Sequence, residues 1–232
     1  MKFHCHVKQT LLQLIEQMSE NPAPFVVNPE KDFSRHRKLG FSDMLQLLIS
    51  METGSIKSEL IKFFRCDPNM PSVSAFVQQR EKIKSTAFTT LLKHFNQSFG
   101  YKKYKGHRLI ACDGTVLTIP LEPGHDEYTY RKCERQRDYY QIHLNTLYDL
   151  CTHTYQDIII NPRNGNNERT AFCDMLLRGD FEPKTIFIAE GYSLLALLNQ
   201  KGMYYVVRAK DNKDGGIIKS YDVPKEGEYD KS

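Results

Sequence analysis

Two acidic residues directly follow apolar, strand-like runs and are the first candidates for chemistry. Asp113 follows the run 109–112 (LIAC), and Glu190 follows the run 186–189 (IFIA). A carboxylate within a strand is costly unless it is hydrogen-bonded, paired or bound to a metal. Two or three carboxylates around Mg²⁺ suit phosphodiester chemistry, because the metal activates a hydroxyl and stabilises charge on the leaving oxygen. Each acid also has a purely structural interpretation. Asp113 could lie in a β-bulge or turn with Gly114. Glu190 could start a helix whose dipole favours an acid there.

Basic residues are concentrated in the first half of the chain. Residues 1–105 carry 16 Lys and Arg against 9 Asp and Glu, a net charge of +7, whereas residues 106–232 carry 16 against 19, a net charge of −3. Such a front half suits contact with DNA, and a solvated charged surface is the equal alternative. The candidate DNA contacts are Arg35, Arg37, Lys38, Arg80, Lys82 and Lys84, together with Arg131 and Lys132 in the Tyr- and Arg-rich loop 128–141.

The first half is predicted to be helical. Residues 41–51 and 54–64 place apolar side chains at helical spacing, with Ser42 and Ser55 as N-caps. Residues 71–99 keep the same spacing and predict a longer helix, with the basic residues at 80, 82 and 84 on its polar face. We therefore predict a helical DNA-binding domain over residues 1–105.

The pattern beyond residue 106 alternates between strands and helices. Strands are predicted at 108–120, 140–150, 156–161, 185–189 and 203–211, a loop at 121–139, and helices at 166–180 and 192–200. The order β-β-β-α-β-α-β predicts an α/β fold with a mixed sheet, in which an antiparallel meander precedes parallel strands reached by helical crossovers. This is the order of an RNase H-like core. There the first and fourth strands are neighbours, so the acids at their ends could share a metal ion.

Other features of the sequence exclude some classes of protein. No apolar run approaches the roughly 20 residues that span a bilayer. Polar residues interrupt the N-terminal segment too often for a signal peptide. The six cysteines include no Cys-x-x-Cys pair, so we expect free thiols and no zinc site. We therefore expect a cytosolic protein without a membrane segment.

Six segments, in this order, resemble DDE transposases of the bacterial insertion sequence four family. They are KDFSRHRKLGFSDMLQLLISM, SVSAFVQQREKIKSTAF, DGT, HLNTLYDL, NNERTAFCDMLL and YYVVRAKD. The resemblance implies an RNase H-like catalytic domain, here over residues 106–232, behind a helical DNA-binding domain. It implies cutting at transposon ends with Mg²⁺ or Mn²⁺, then joining of the 3′-hydroxyl to target DNA. The implied partner is double-stranded DNA, bound by a homodimer, in the cytoplasm or nucleoid of a bacterium.

The family holds its metals with two aspartates and one glutamate. Asp113, in CDGT, matches the first aspartate. The second opens an Asp-Arg-Gly-Tyr motif after the fourth strand, where this chain reads Ala189-Glu190-Gly191-Tyr192. Either Glu190 replaces that aspartate, or the four motif residues are absent and Glu190 is the family's next residue. We prefer the second alignment, because it keeps the length of the following helix.

The third acid of the family has no match in this chain. The sequence ends at VPKEGEYDKS, about where a β-rich insertion precedes that glutamate in the family. One assigned carboxylate would hold Mg²⁺ weakly, since this ion keeps most of its waters. We therefore expect a truncated transposase, with an incomplete catalytic core that ends before its final helix and with little or no activity. The alternative is a non-catalytic DNA-binding fragment that regulates or competes with a full-length transposase.

Overall fold

The structure of the chain is a computed structural model that describes residues 3–35, 38–120, 128–130, 139–163, 168–190 and 195–208. The chain divides into two compact units, residues 1–100 and residues 101–232. The described part of the chain contains no helix that is both long and apolar enough to cross a bilayer.

Unit 1–100 is helical. Its elements are α1 (Phe3–Glu20), a 3-10 turn (Ala23–Phe25), α2 (Phe41–Ser50), α3 (Ile56–Phe63), α4 (Val73–Arg80) and α5 (Thr86–Phe99). One buried cluster joins α1, α2 and α5 through Ile15, Leu45 and Leu91. A second joins α2, α3 and α4 through Met44, Leu60 and Phe76. The apolar stripe of α2 faces both clusters, which explains why this short helix is the most buried of the unit.

The long helix predicted over residues 71–99 is wrong, because the chain breaks between α4 and α5. Residues 81–85 instead lie along the segment that follows α1. Val27 N–H donates to the carbonyl of Lys82 at 2.9 Å, and Lys84 N–H donates to the carbonyl of Phe25 at 2.9 Å. Ile83 thereby forms an isolated antiparallel bridge with Val26. These two long-range bonds occupy the Lys82 carbonyl and the Lys84 N–H, which a continuous helix would need for its own bonds.

The start of α3 is as predicted, whereas the start of α2 differs. The Ser55 hydroxyl caps α3 by accepting the Ser58 N–H at 3.2 Å. Helix α2 begins two residues earlier than expected, with Gly40 rather than Ser42 as its N-cap. The Asp43 carboxylate accepts the Gly40 N–H at 3.0 Å, and the Ser42 hydroxyl instead donates to Glu16. The start of α2 is therefore capped by Gly40 and by the acid Asp43 in the first turn, and not by the predicted Ser42.

Unit 101–232 is built on one mixed sheet. Its elements are β1 (Arg108–Ile119), β2 (Thr129–Tyr130), β3 (Tyr139–Asp149), β4 (Thr154–Pro162), α6 (Glu168–Arg178), β5 (Thr185–Glu190), α7 (Leu195–Gln200) and β6 (Tyr204–Arg208). The five long strands and both helices lie where the sequence predicts them. The short strand β2 was not predicted, and most of the predicted loop 121–139 lies outside the described residues.

The strand order confirms the predicted α/β fold class, an RNase H-like mixed sheet that follows a helical N-terminal region. The sheet runs β3-β1-β5-β6, with β4 and β2 both paired to the outer edge of β3. Strand β3 is antiparallel to β1 and β4, whereas β1–β5 and β5–β6 are parallel. Both crossovers through α6 and α7 progress in the same direction across the sheet. Right-handed connections therefore place both helices on one face.

That covered face holds the core of the unit. Ile110 and Leu147 of the sheet pack against Phe172 and Met175 of α6, with Phe187 beside them, and all five are buried. The rings of Phe172 and Phe187 meet edge to face at 5.7 Å. Because side chains alternate along a strand, the residue after each core position of β1 points to the opposite face. This alternation determines where the candidate acids lie.

Candidate active site and nucleic-acid interface

Asp113 lies in the middle of β1, on the face that α6 does not cover. Its neighbours Cys112 and Gly114 face α6, because Cys112 packs on the core and Gly114 lies against the buried ring of His143. Asp113 therefore points away from the core, and its side chain is exposed. One carboxylate oxygen, Oδ1, accepts the N–H of Gly114 at 2.8 Å. An exposed, ionisable oxygen pair on a rigid central strand fits a ligand for a hard divalent cation.

The interpretation of Asp113 as a bulge or turn residue is wrong. The register between β1 and β3 runs without a shift from Ile110 opposite Asp149 to Ile119 opposite Tyr140. Gly114 does not have a positive φ. The glycine is instead required by space, since a Cβ atom there would lie 2.4 Å from Cε1 of His143 and 3.3 Å from Oδ1 of Asn145.

Glu190 is the last residue of β5, the parallel neighbour of β1. The paired residues run from Arg108 opposite Thr185 to Ala111 opposite Ile188. Counting two residues beyond the end of this ladder on each strand sets Asp113 and Glu190 at the same level. The two acids thus lie on neighbouring strands, which are about 4.8 Å apart where they pair. The sequence prediction that these two strands lie side by side is confirmed.

A histidine and a glutamate behind Gly114 were not predicted to belong together. His143 of β3 is buried, and its Nε2 lies 3.1 Å from Oε1 of Glu168, the first residue of α6. The His143 Nδ1 is buried without a hydrogen-bond partner among the described residues. Glu168 thus lies on the covered face, opposite to Asp113, and is not placed to share a ligand with it. The sequence signal for this contact was His143 itself, a polar residue on the inward face of the HLNTLYDL strand.

The described residues contain no cluster of three or more His, Cys, Asp and Glu side chains that could hold a metal ion. As possible metal ligands, the described residues therefore provide the exposed carboxylate of Asp113 and, on the neighbouring strand, the position of Glu190. Asp149 and Asp157 lie on either side of the turn between β3 and β4. Asp149 caps this turn, because its Oδ1 accepts the N–H groups of Cys151 and Thr152. Asp157 pairs instead with Arg178 of α6.

Cys112 has an unreactive thiol, although it adjoins the candidate site. Burial, together with the nearby carboxylates of Asp113 and Glu168, raises the pKa of this thiol to about 12. The thiolate is the reactive form. We expect iodoacetamide at pH 8 to modify the exposed Cys5 and Cys66 of the native protein and to leave Cys112 unmodified. Peptide mass spectrometry would measure this, with the urea-unfolded chain as the control in which Cys112 also reacts; labelling of native Cys112 at the rate of Cys66 would contradict it.

The predicted DNA-binding residues of the helical unit are mostly exposed. Arg35, Lys38, Arg80 and Lys84 are exposed, and Lys82 is half-buried. Arg35 and Lys82 line one cleft, and Lys38 lines the cleft beside it. Arg37, Arg131 and Lys132 lie outside the described residues. The break between α4 and α5 means that the residues at 80, 82 and 84 do not share a helical face.

A sequence profile described as Transposase DDE domain matches residues 104–228, which is more than half of the chain and includes both candidate acids. The chain belongs to this transposase family. No curated protein matched the chain significantly. Membership supports a function in DNA transposition, with DNA as the substrate and a divalent metal ion as the usual cofactor of such domains. The matched range coincides with the RNase H-like sheet and its helices.

Proposed function

We propose that this chain carries out the phosphodiester chemistry of DNA transposition, as a member of the insertion sequence four group. The proposed site lies where β5 ends beside the middle of β1. The observation that supports this most is the parallel pairing of β1 with β5, because its register, continued by two residues, would set Glu190 level with the exposed Asp113. In this proposal Glu190 replaces the second aspartate, the alternative to the alignment preferred from sequence length. Asp113 and Glu190 would then be the carboxylates that hold Mg²⁺ or Mn²⁺.

The bound metal would activate the attacking hydroxyl and stabilise charge on the leaving oxygen of the scissile phosphodiester. The protein's own contribution is positioning. Asp113 is fixed by the pairing of β1 with β3, where it lies opposite Thr146, and by the hydrogen bond from Gly114 N–H to its Oδ1. Two carboxylate positions bind Mg²⁺ less firmly than three, so we expect weak activity that depends on both acids.

Asp113→Asn and Glu190→Gln are each expected to abolish cleavage of transposon-end DNA in Mg²⁺ or Mn²⁺ and to weaken Mn²⁺ binding. Each amide removes a charged ligand oxygen and keeps the side-chain volume. The measurements are gel assays of strand cleavage and Mn²⁺ titration by electron paramagnetic resonance. Asp174→Asn is the matched control, because this exposed acid lies on α6 behind the covered face. Unchanged cleavage and Mn²⁺ binding in Asp113→Asn would refute the proposed site.

The basic residues of unit 1–100 favour a second function, DNA binding without catalysis. The exposed residues Arg35, Lys38, Arg80 and Lys84 give this unit a surface suited to phosphate contacts. This function predicts salt-sensitive, metal-independent binding of duplex DNA that survives Asp113→Asn. Binding of this kind without any metal-dependent cleavage by the native chain would support the second function and exclude the first.

A further inference from the structure

Two adjoining clefts on the helical unit form one groove. The first has a volume of about 360 Å³ and is bordered by Lys31, Arg35 and Lys82. The second has a volume of about 420 Å³ and is bordered by Lys38. Leu39 and Gln79 line both clefts, so they lie where the two meet. We call the combined feature the basic groove.

The charges along the basic groove favour an anion. Among the described residues, four cationic side chains line it, at positions 31, 35, 38 and 82, against two acids. One of these acids, Asp32, is buried, and its Oδ2 accepts the N–H of Asn28 at 2.8 Å. This carboxylate therefore stabilises the loop that contains it and is not exposed in the groove. Glu30 is the exposed acid on the rim, so the accessible charge of the groove is positive.

The floor of the groove is preorganised by contacts within the unit. Gln79 is only 6% exposed, and its Oε1 accepts a hydrogen bond from Nζ of Lys82 at 3.2 Å. The Lys82 backbone is held in turn by the bond from Val27 N–H to its carbonyl. The same break between α4 and α5 that overturned the helix prediction thus places an ammonium group at the groove. A cation fixed in advance loses less entropy when it meets its ligand.

The segment that carries Lys31 and Arg35 has an unusual backbone conformation at Phe33. Phe33 has φ +56°, a left-handed value that is rare for a bulky residue and costs free energy. Its ring packs edge to face on Phe41 at 5.6 Å. This contact anchors the segment between Lys31 and Arg35, so that both basic residues border the first cleft. Backbone strain that a packed ring maintains is typical of functional segments.

We infer that the basic groove binds the sugar–phosphate backbone of DNA, with Lys31, Arg35, Lys38 and Lys82 as phosphate contacts. This inference rests on the proposed function and deepens it. It adds Lys31 to the predicted contacts and separates the groove residues from Arg80 and Lys84, which line neither described cleft. Contacts of this kind fix the position of the protein on DNA and carry no sequence information themselves.

The test compares two double variants of the full chain. Arg35→Ala with Lys82→Ala removes two charges from the groove, and Lys57→Ala with Lys93→Ala removes two exposed lysines elsewhere on the same unit. Binding of a 30-base-pair duplex is measured by fluorescence anisotropy across a series of salt concentrations. Each phosphate contact contributes about 0.9 to the slope of log K against log salt, so the groove variant is expected to lose about 2 from this slope. The control variant is expected to keep the native slope.

The possible outcomes distinguish a failure of the groove inference from a failure of the DNA-binding function on which it rests. Native binding with equal slopes for both variants would overturn the groove and leave DNA binding intact. Absence of any binding by the native chain would overturn both. Calorimetric titration with ATP and with inorganic phosphate distinguishes the source of the anion. If either binds the native chain but not the groove variant, while DNA binding is the same in both, the groove belongs to a small phosphate ligand and the inference fails.

Discussion

Replacing Asp149 with alanine is expected to destabilise unit 101–232 by about 3–5 kcal/mol, because a buried ion pair that loses one partner leaves an uncompensated charge in the interior. The pair joins Nε of Arg108 to Oδ2 of Asp149 at 2.7 Å, and the exposed fractions of the two side chains are 2% and 0%. It links the start of β1 to the end of β3.

Other contacts around the pair do not replace the lost carboxylate. The Arg108 guanidinium stacks over the ring of Tyr101 at 3.6 Å, but its Nη2 is buried without a hydrogen-bond partner in the described part of the chain. Asp149 Oδ1 also accepts the N–H groups of Cys151 and Thr152, at 2.9 and 3.0 Å. The substitution therefore removes the counter-charge and the cap of the turn together.

Tyrosine fluorescence can follow this unit alone. All 13 tyrosines lie between residues 101 and 232, and the chain has no tryptophan. Urea unfolding is compared with that of Asp157→Ala, whose partner Arg178 is half exposed, and for which we expect a loss of about 1 kcal/mol or less. The double variant Arg108→Met with Asp149→Ala should recover much of the stability, since no charge is stranded. Equal losses for Asp149→Ala and Asp157→Ala would contradict the argument.

The elements of the sheet could be predicted because their signals are local. The apolar runs at 109–112 and 186–189 determine β1 and β5, and the helical patterns between strands imply parallel crossovers. The adjacency of Asp113 and Glu190 at the strand level follows from that topology. The cap at Ser55 is likewise a short-range signal.

The features that sequence reasoning missed depend on distant partners. The break between α4 and α5 arises because Lys82 and Lys84 bond to the backbone of residues 25–27, and no period within 71–99 encodes that pairing. The ion pair of Arg108 joins residues 41 positions apart. In the site, Asp113 was identifiable from its strand, whereas the contact of His143 with Glu168 requires the register of β3 and the docking of α6. The DGT motif marks Gly114 without revealing that its missing Cβ makes room for a ring.

Gly114→Ala is the second substitution with a large expected effect, a loss of about 2–3 kcal/mol from overpacking. The new Cβ would lie 2.4 Å from Cε1 and 3.2 Å from Nε2 of His143, whose ring is buried. The ring has little room to withdraw, because its Nε2 is also 3.1 Å from Glu168. An alanine gains about 0.4–1 kcal/mol from the unfolded state, which is less than the clash costs.

Relief by a second substitution would identify the clash as the cause. His143→Ala removes the ring, so the double variant Gly114→Ala with His143→Ala should be clearly more stable than the sum of the two single losses predicts. Thr115→Ala, exposed on the same strand, is the control and should change stability by no more than about 0.5 kcal/mol. Additive losses in urea unfolding would mean that the ring is not the obstacle. A coupled result would show that His143 fixes the path of β1 at Gly114, whose N–H holds the Asp113 carboxylate, and so tie the covered face of the sheet to the geometry of the candidate site.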